Sequence, residues 1–262
     1  MKRKIFFLGA ERIASRSLLQ DAGVRRCGIM FARIKNKKGA ELDDLRKDLL
    51  LFEEVMIEAN IPEPTQDKIA FLYEYMDYAK ELADYGVKLL VRLPEYPEYR
   101  EVNRRLYEDG RRAGLNIPYP MDYQMEMPEE EYLSVVHLHT TVRTPQLARY
   151  MKLLAARKRF HISRLTTMQF YNYFTPDSTD TAAWMNGVRY GMTYIYRGGV
   201  IHSYRKDKAL TMRSGLYGLC QEHGVDYQEL LDGTKSSYLT EAQIYAVNKV
   251  NLLAWHKFAE GE

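Results

Sequence analysis

The chain has 262 residues, 46% hydrophobic and 28% charged, with 38 lysines and arginines against 35 aspartates and glutamates. That balance excludes a disordered chain, and a net charge of only +3 leaves any case for nucleic-acid binding to local patches. Its two cysteines, Cys27 and Cys220, are too few for a disulfide framework or a cysteine-rich zinc site, so free thiols in a reducing compartment are expected.

The first apolar run, KIFFLGA, reads as a strand. Its core, IFFLGA, is too short for a signal peptide or a membrane span, so the expected location is cytoplasmic, with no membrane partner. A helix over SRSLLQDAG follows, stopped by Gly23. RCGIMFARI is the second strand, ELDDLRKDLLLFEE its helix, and EVMIEAN the third strand. The best-defined helix runs from Asp67 to Tyr85 and ends at Gly86. Ile69, Leu72, Tyr73, Met76, Ala79 and Ala83 fall on one face at helical spacing, which predicts the buried side.

VKLLVRL is the fourth strand, followed by a helix over EYREVNRRLYEDGRRAG. NIPYPMDY is a weaker fifth strand, since two prolines are unwelcome in a central one. LSVVHLHT is the sixth, and Thr144 with Pro145 opens the next helix. FHISRL is the seventh, MQFYNYF a short helix, and TPDST begins the eighth strand-like piece. TAAWMNGVRYG reads as a loop and helix start. From about residue 205 the pattern is helical, and Thr240 with Gln243 forms a capping box for a last helix reaching about Phe258.

Eight alternations of strand and helix imply a parallel sheet with helical crossovers. In about 250 residues this predicts an α/β protein, a (β/α)8 TIM barrel with room for irregular strands. An open doubly wound sheet is the alternative, weakened by the lack of a G-x-G-x-x-G motif after any strand. The expected division is a barrel over 1–204, with C-terminal helices over 205–262 packed on it.

Barrel chemistry sits at the C-terminal ends of the strands. Those ends carry Glu11, Arg33, Glu58, Asn60, Arg92, Glu95, Asp122, His137, His139, Arg164, Asp177 and Asp180. His137 and His139 alternate on one strand and so point the same way, but no third ligand stands at metal spacing; no metal or other cofactor is expected. Asp177 at a barrel mouth could attack a sugar anomeric carbon, with Glu58 as a second acid across the barrel. Either Asp177 or Asp180 could instead cap the helix that follows, and Asp180 fits a cap better.

The stretch FHISRLTTMQFYNYFTPDSTDTAAWMNGVRYG resembles the late-barrel segment of the tRNA-guanine transglycosylase superfamily, most of all its short phage and archaeal relatives that handle deazaguanine bases. Asp177, Ser178, Trp184, Gly187, Arg189, Tyr190 and Gly191 carry the likeness, with FFLGAE and NLLAWHKFAE similar to the family's first strand and last helix. The resemblance implies base exchange in DNA or RNA through a carboxylate nucleophile, Asp177. Glu58 would stand where the family has its general base, although EAN replaces the family's Asp-Ser-Gly. VVHLHTT replaces the glycine-pair strand, and the cysteine-rich zinc motif is absent. Arg164, His139, Glu95 and Asp180 are the expected substrate contacts. The other reading is a catalytically inactive barrel that binds nucleic acid or assembles with itself or another protein, as in a phage or mobile-element complex.

Overall fold

The computed structural model describes residues 2–63, 67–122, 124–136, 152–153, 155–164, 171, 175–205, 213–235 and 238–261. It divides into two units, Lys4–Thr181 and Met1–Arg3 with Ala182–Glu262. The division falls after Thr181, earlier than the boundary at 204 read from the sequence. No described helix is long and apolar enough to cross a membrane.

The first unit is a (β/α)8 barrel of the TIM type. Its strands are β1 (Ile5–Leu8), β2 (Arg26–Met30), β3 (Glu54–Glu58), β4 (Leu89–Arg92), β5 (Tyr119–Met121), β6 (Tyr132–Val136), β7 (Arg159–Ser163) and β8 (Ser178–Thr181). All pair in parallel in the order β4-β3-β2-β1-β8-β7-β6-β5. The ring is nearly closed, because Leu90 bridges to Asn116 just ahead of β5. The described crossover helices are α1 (Ile13–Asp21), the short α2 (Phe31–Ile34), α3 (Ala40–Leu49), α4 (Lys68–Asp84) and α5 (Arg100–Arg112).

Asp67 caps α4 by accepting from the N–H groups of Ile69 and Ala70, as a helix start requires. The buried face of α4 is Phe71, Leu72, Tyr75, Met76, Ala79 and Leu82, while Ile69 and Tyr73 are exposed. The predicted face is thus turned by part of a turn. Phe71 meets Phe31 edge to face, and the Tyr75 hydroxyl shares its proton between the carbonyls of Ile57 at 2.7 Å and Arg92 at 3.0 Å, which fixes the rotation.

The strands over β6–β8 separate two environments by simple alternation. Leu133, Val135, Phe160 and Ile162 join a hydrophobic cluster with Tyr119, Met121 and Leu153. The residues between them, Ser134, His161 and Ser163, are buried and bonded to polar partners. Part of this barrel is therefore lined by hydroxyls and an imidazole.

In the second unit, β9 (Met192–Arg197) and β10 (Val200–Arg205) form an antiparallel hairpin, which the sequence reading did not anticipate. It is accompanied by α6 (Asn186–Tyr190), α7 (Arg213–Glu222), α8 (Tyr227–Lys235) and α9 (Glu241–Glu260). The capping box of Thr240 and Gln243 starts α9 as expected. The buried Asn251 of α9 ties β9 down: its Oδ1 accepts from Tyr194 N at 2.7 Å and its Nδ2 donates to Met192 O at 2.9 Å. Gly187 of α6 leaves no room beside this junction. A Cβ there would stand 2.2 Å from Val247 Cγ1, 2.6 Å from Asn251 Nδ2 and 2.9 Å from Met192 O. We expect Gly187→Ala to lower unfolding free energy by about 1–3 kcal/mol in urea titration; unchanged stability would show that α6 and α9 approach less closely.

Candidate active site

β3 and β4 pair in a register that sets Glu58 beside Arg92. Both are the last residues of their strands, so both stand at the C-terminal mouth. The Arg92 guanidinium is buried and serves three carboxylates. Its Nη1 donates to Glu58 Oε2 at 2.6 Å and to Asp180 Oδ2 at 3.3 Å, and its Nη2 donates to Glu95 Oε2 at 3.3 Å. Glu95, three residues beyond β4, also accepts from the hydroxyls of Ser134 and Ser163.

Asp180 comes from the C-terminal half of β8 and is fully buried. Its Oδ1 accepts from the backbone N–H of Arg164 at 2.9 Å. Its Oδ2 lies 3.1 Å from His161 Nε2. A carboxylate can only accept, so in the neutral imidazole the ring proton faces Asp180 from Nε2 and Nδ1 accepts from Ser178 Oγ at 2.9 Å. Ser178 in turn takes the proton of Tyr132, 3.1 Å away, whose hydroxyl burial pushes up to about 12. With that tautomer the hydrogen bonds run in one direction, Tyr132 to Ser178 to His161 to Asp180, ending on the carboxylate.

The two mouth carboxylates differ in charge preference. Burial raises Glu58 above its ordinary 4.5, more than Arg92 lowers it, and the negative charge of Asp180 adds to the rise. Burial also opposes ionisation of Asp180, but the His161 hydrogen bond, the Arg92 charge and the Arg164 N–H hold it below its ordinary 3.8. Both oxygens reach one nitrogen, at 2.6 Å and 3.3 Å, so they lie less than about 6 Å apart. A pair of acids with opposed shifts at this spacing can divide the work of holding charge and moving a proton.

A cavity of about 280 Å³ opens at Glu58 and Arg92, lined also by Asn60, Tyr96, Tyr99 and Arg164; Asp180 and Glu95 lie behind Arg92 and are not on its wall. Glu58 Oε1 accepts no hydrogen bond among the described residues. Asn60 and Arg164, both on the cavity wall, have left-handed backbones (φ 44° and 56°), a conformation that costs of order 1–3 kcal/mol and collects at functional sites. For Arg164 the turn has a use: its backbone holds Asp180 while its guanidinium reaches to 3.9 Å from Glu58 Oε1.

The structure brings together Glu58, Glu95, Arg164 and Asp180 of the expected site residues. It does not bring in Asp177. That residue precedes β8 and therefore sits at the opposite end of the strand from the mouth. Its carboxylate accepts from Arg159 Nε at 2.9 Å and from Phe160 N at 3.0 Å, clamping the start of β7 to the start of β8. The expectation of a nucleophile at Asp177 is corrected on this geometry: β8 starts right after Asp177, whereas a mouth position would need the strand to end there. Asp180 caps no helix either, since the helical turn Ala183–Met185 starts from Ala182 without a side-chain cap. His139 and His137 lie outside the described residues. Sequence reasoning missed His161, Ser163 and Ser178 as parts of the site; the signal for the first two was the polar residue at every second place in FHIS, and Ser178 stands two places before Asp180 on the same strand face.

No family model, curated protein or solved structure matches the chain.

Removing the hub should expose its role through pH. With Arg92→Met, the three carboxylates lose their common cation, and about 3–5 kcal/mol of stability should disappear at pH 7. Their folded-state affinities for protons then rise above those of the unfolded chain, so the native state binds more protons and stability falls as pH rises. Denaturant midpoints of the variant should therefore recover between pH 7 and pH 5; a deficit that stays constant across that range would contradict a buried charge cluster.

Proposed function

We propose that the protein is a transglycosylase-like barrel that exchanges a purine or deazaguanine base in nucleic acid, with Asp180 and Glu58 as its working carboxylates. The observation that carries the reading is the pair itself: two buried acids at the mouth, bonded to one guanidinium nitrogen and shifted in opposite directions. The sequence resemblance supplies the substrate class, and Asp180 takes the part first read for Asp177.

In this scheme the ionised Asp180 attacks C1′ of the nucleotide. The C1′–N bond breaks, and its electrons pass to the base nitrogen, which takes the proton held by Glu58. The incoming base then attacks C1′, gives its proton to the Glu58 carboxylate, and releases Asp180. Two displacements retain the configuration at C1′, consistent with the short carboxylate separation. For attack, Asp180 gives up the bond from Arg92 Nη1, the longer of the two that this nitrogen makes. Tyr96, 45% exposed at the cavity wall, offers a ring to a flat base, and Arg164 a charge to its edge or to phosphate.

One observation favours a second reading. Asp180 already accepts three internal hydrogen bonds and is fully buried, as a structural ion cluster would have it. On that reading the barrel binds nucleic acid or a partner without turning it over.

Single-turnover assays with DNA and tRNA carrying a labelled base separate the two. We expect an Asp180-dependent covalent adduct, lost together with exchange in Asp180→Asn. Glu58→Gln should slow exchange by about 10²–10⁴-fold, and Asp177→Asn should stay within a few-fold of the parent. Because the protonated form of Glu58 starts the reaction, the first step should weaken as pH rises through a value above 4.5. Adduct retained in Asp180→Asn but lost in Asp177→Asn would overturn the assignment. No exchange with any base offered would leave the non-catalytic reading.

A further inference from the structure

The charge of the chain is unevenly placed. Residues 181–221 hold six lysines and arginines against a single aspartate, a net of +5 within a chain whose total is +3. The described centre of this segment is the β9–β10 hairpin. Gly198 and Gly199 turn it with successive left-handed residues (φ 60° and 81°), as a two-residue type I′ turn requires. β9 is the strand held by Asn251, and β10 is the outer one: Val200, His202, Ser203 and Arg205 are exposed, and Ile201 is buried.

The arginines of the barrel are largely committed. Arg16 pairs with Asp48, Arg33 with Glu11, Arg100 with Asp122 and Arg159 with Asp177. The hairpin differs. Neither Arg197 nor Arg205 has a carboxylate partner among the described residues, and both are exposed. The ladder sets Arg197 across from Val200, so Arg197 shares a face with His202 and Tyr204 by alternation along β10. Arg205 closes the far end of the ribbon on the opposite face, with the exposed Ser203, roughly 17 Å away along five residue steps.

We infer that the outer strand β10, together with Arg197 at the hairpin tip, is a contact surface for single-stranded nucleic acid. Unpaired cations spread along an exposed ribbon match a phosphodiester chain, which brings a negative charge with every nucleotide. The Tyr204 ring beside His202 adds a face on which an unpaired base can stack, and this selects a single strand over a duplex. The exposed backbone edge of β10 needs a reason not to pair with a second copy, and its charge supplies one. The assignment rests on the hairpin and does not require the barrel carboxylates to be catalytic.

The test is fluorescence anisotropy of a labelled mixed-sequence DNA single strand of about 30 nucleotides, titrated with the full chain at several salt concentrations. Arg197→Ala with Arg205→Ala should weaken binding about tenfold and reduce the slope of log K against log salt by ~1.4, the value for two phosphates left without their arginines. Tyr204→Leu should cost about fivefold with the slope unchanged. Arg104→Ala with Arg105→Ala, an exposed pair on α5 already bonded to Glu101, is the matched control and should bind as the parent does. Thermal melts by circular dichroism confirm that each variant folds. The inference is overturned if the parent binds no strand, if the hairpin variant binds with the parent's affinity and salt slope, if duplex is preferred, or if the hairpin pairs with a second copy in its place. Strand binding is read with no base offered for exchange, so a failure of base exchange and a failure of this surface give different results.

Discussion

A buried guanidinium shared by three carboxylates is the constraint on which the barrel mouth depends. Taking any of these charges out of water costs several kcal/mol, and only mutual attraction with full hydrogen bonding returns it. One cation among three acids leaves surplus negative charge, and that surplus settles on the member least well served. Asp180 receives three hydrogen bonds and stays ionised. Glu58 keeps an oxygen that accepts no hydrogen bond among the described residues, and burial pushes its affinity for protons up. The division of labour between the two acids thus follows from how many donors the strands deliver to each.

Those donors are delivered by strand order and alternation. β3 and β4 are neighbours, so Glu58 and Arg92 meet through register. β7 and β8 are neighbours, so His161 meets Ser178 and Asp180 in the same way. Arg164 spans the two groups from a left-handed turn just after β7, one backbone strain serving two carboxylates. Arg92 joins the halves across the barrel.

The alternation of strand and helix was legible because each crossover writes its own period, and the eight parallel strands follow from it. The mouth residues Glu58, Arg92, Glu95, Arg164 and Asp180 were legible as strand ends. Asp177 was misplaced because the eighth strand is short and polar: STDT has no apolar run to mark its limits, and a shift of three residues moves a side chain from one end of the barrel to the other. The rotation of α4 was missed because Tyr75 is held by two hydrogen bonds to strand carbonyls that no helical periodicity encodes. The hairpin carried a local signal in YIYRGGVIHSY, a glycine pair between alternating residues, but it was given no element of its own and fell inside the 1–204 stretch assigned to the barrel. In the second unit Asn251 shows the same lesson, since a lone amide in a helix gains its meaning only from the strand edge it satisfies.

The central claim is that Glu58 and Asp180 hold opposite protonation preferences because Arg92 and the His161 chain serve them unequally. Carbon-13 NMR titration of the side-chain carboxyls, assigned with Glu58→Gln and Asp180→Asn, measures this directly. Glu58 should titrate above 4.5 and Asp180 below 3.8 in the folded protein. Ordinary values for both, or Asp180 titrating above Glu58, would contradict it.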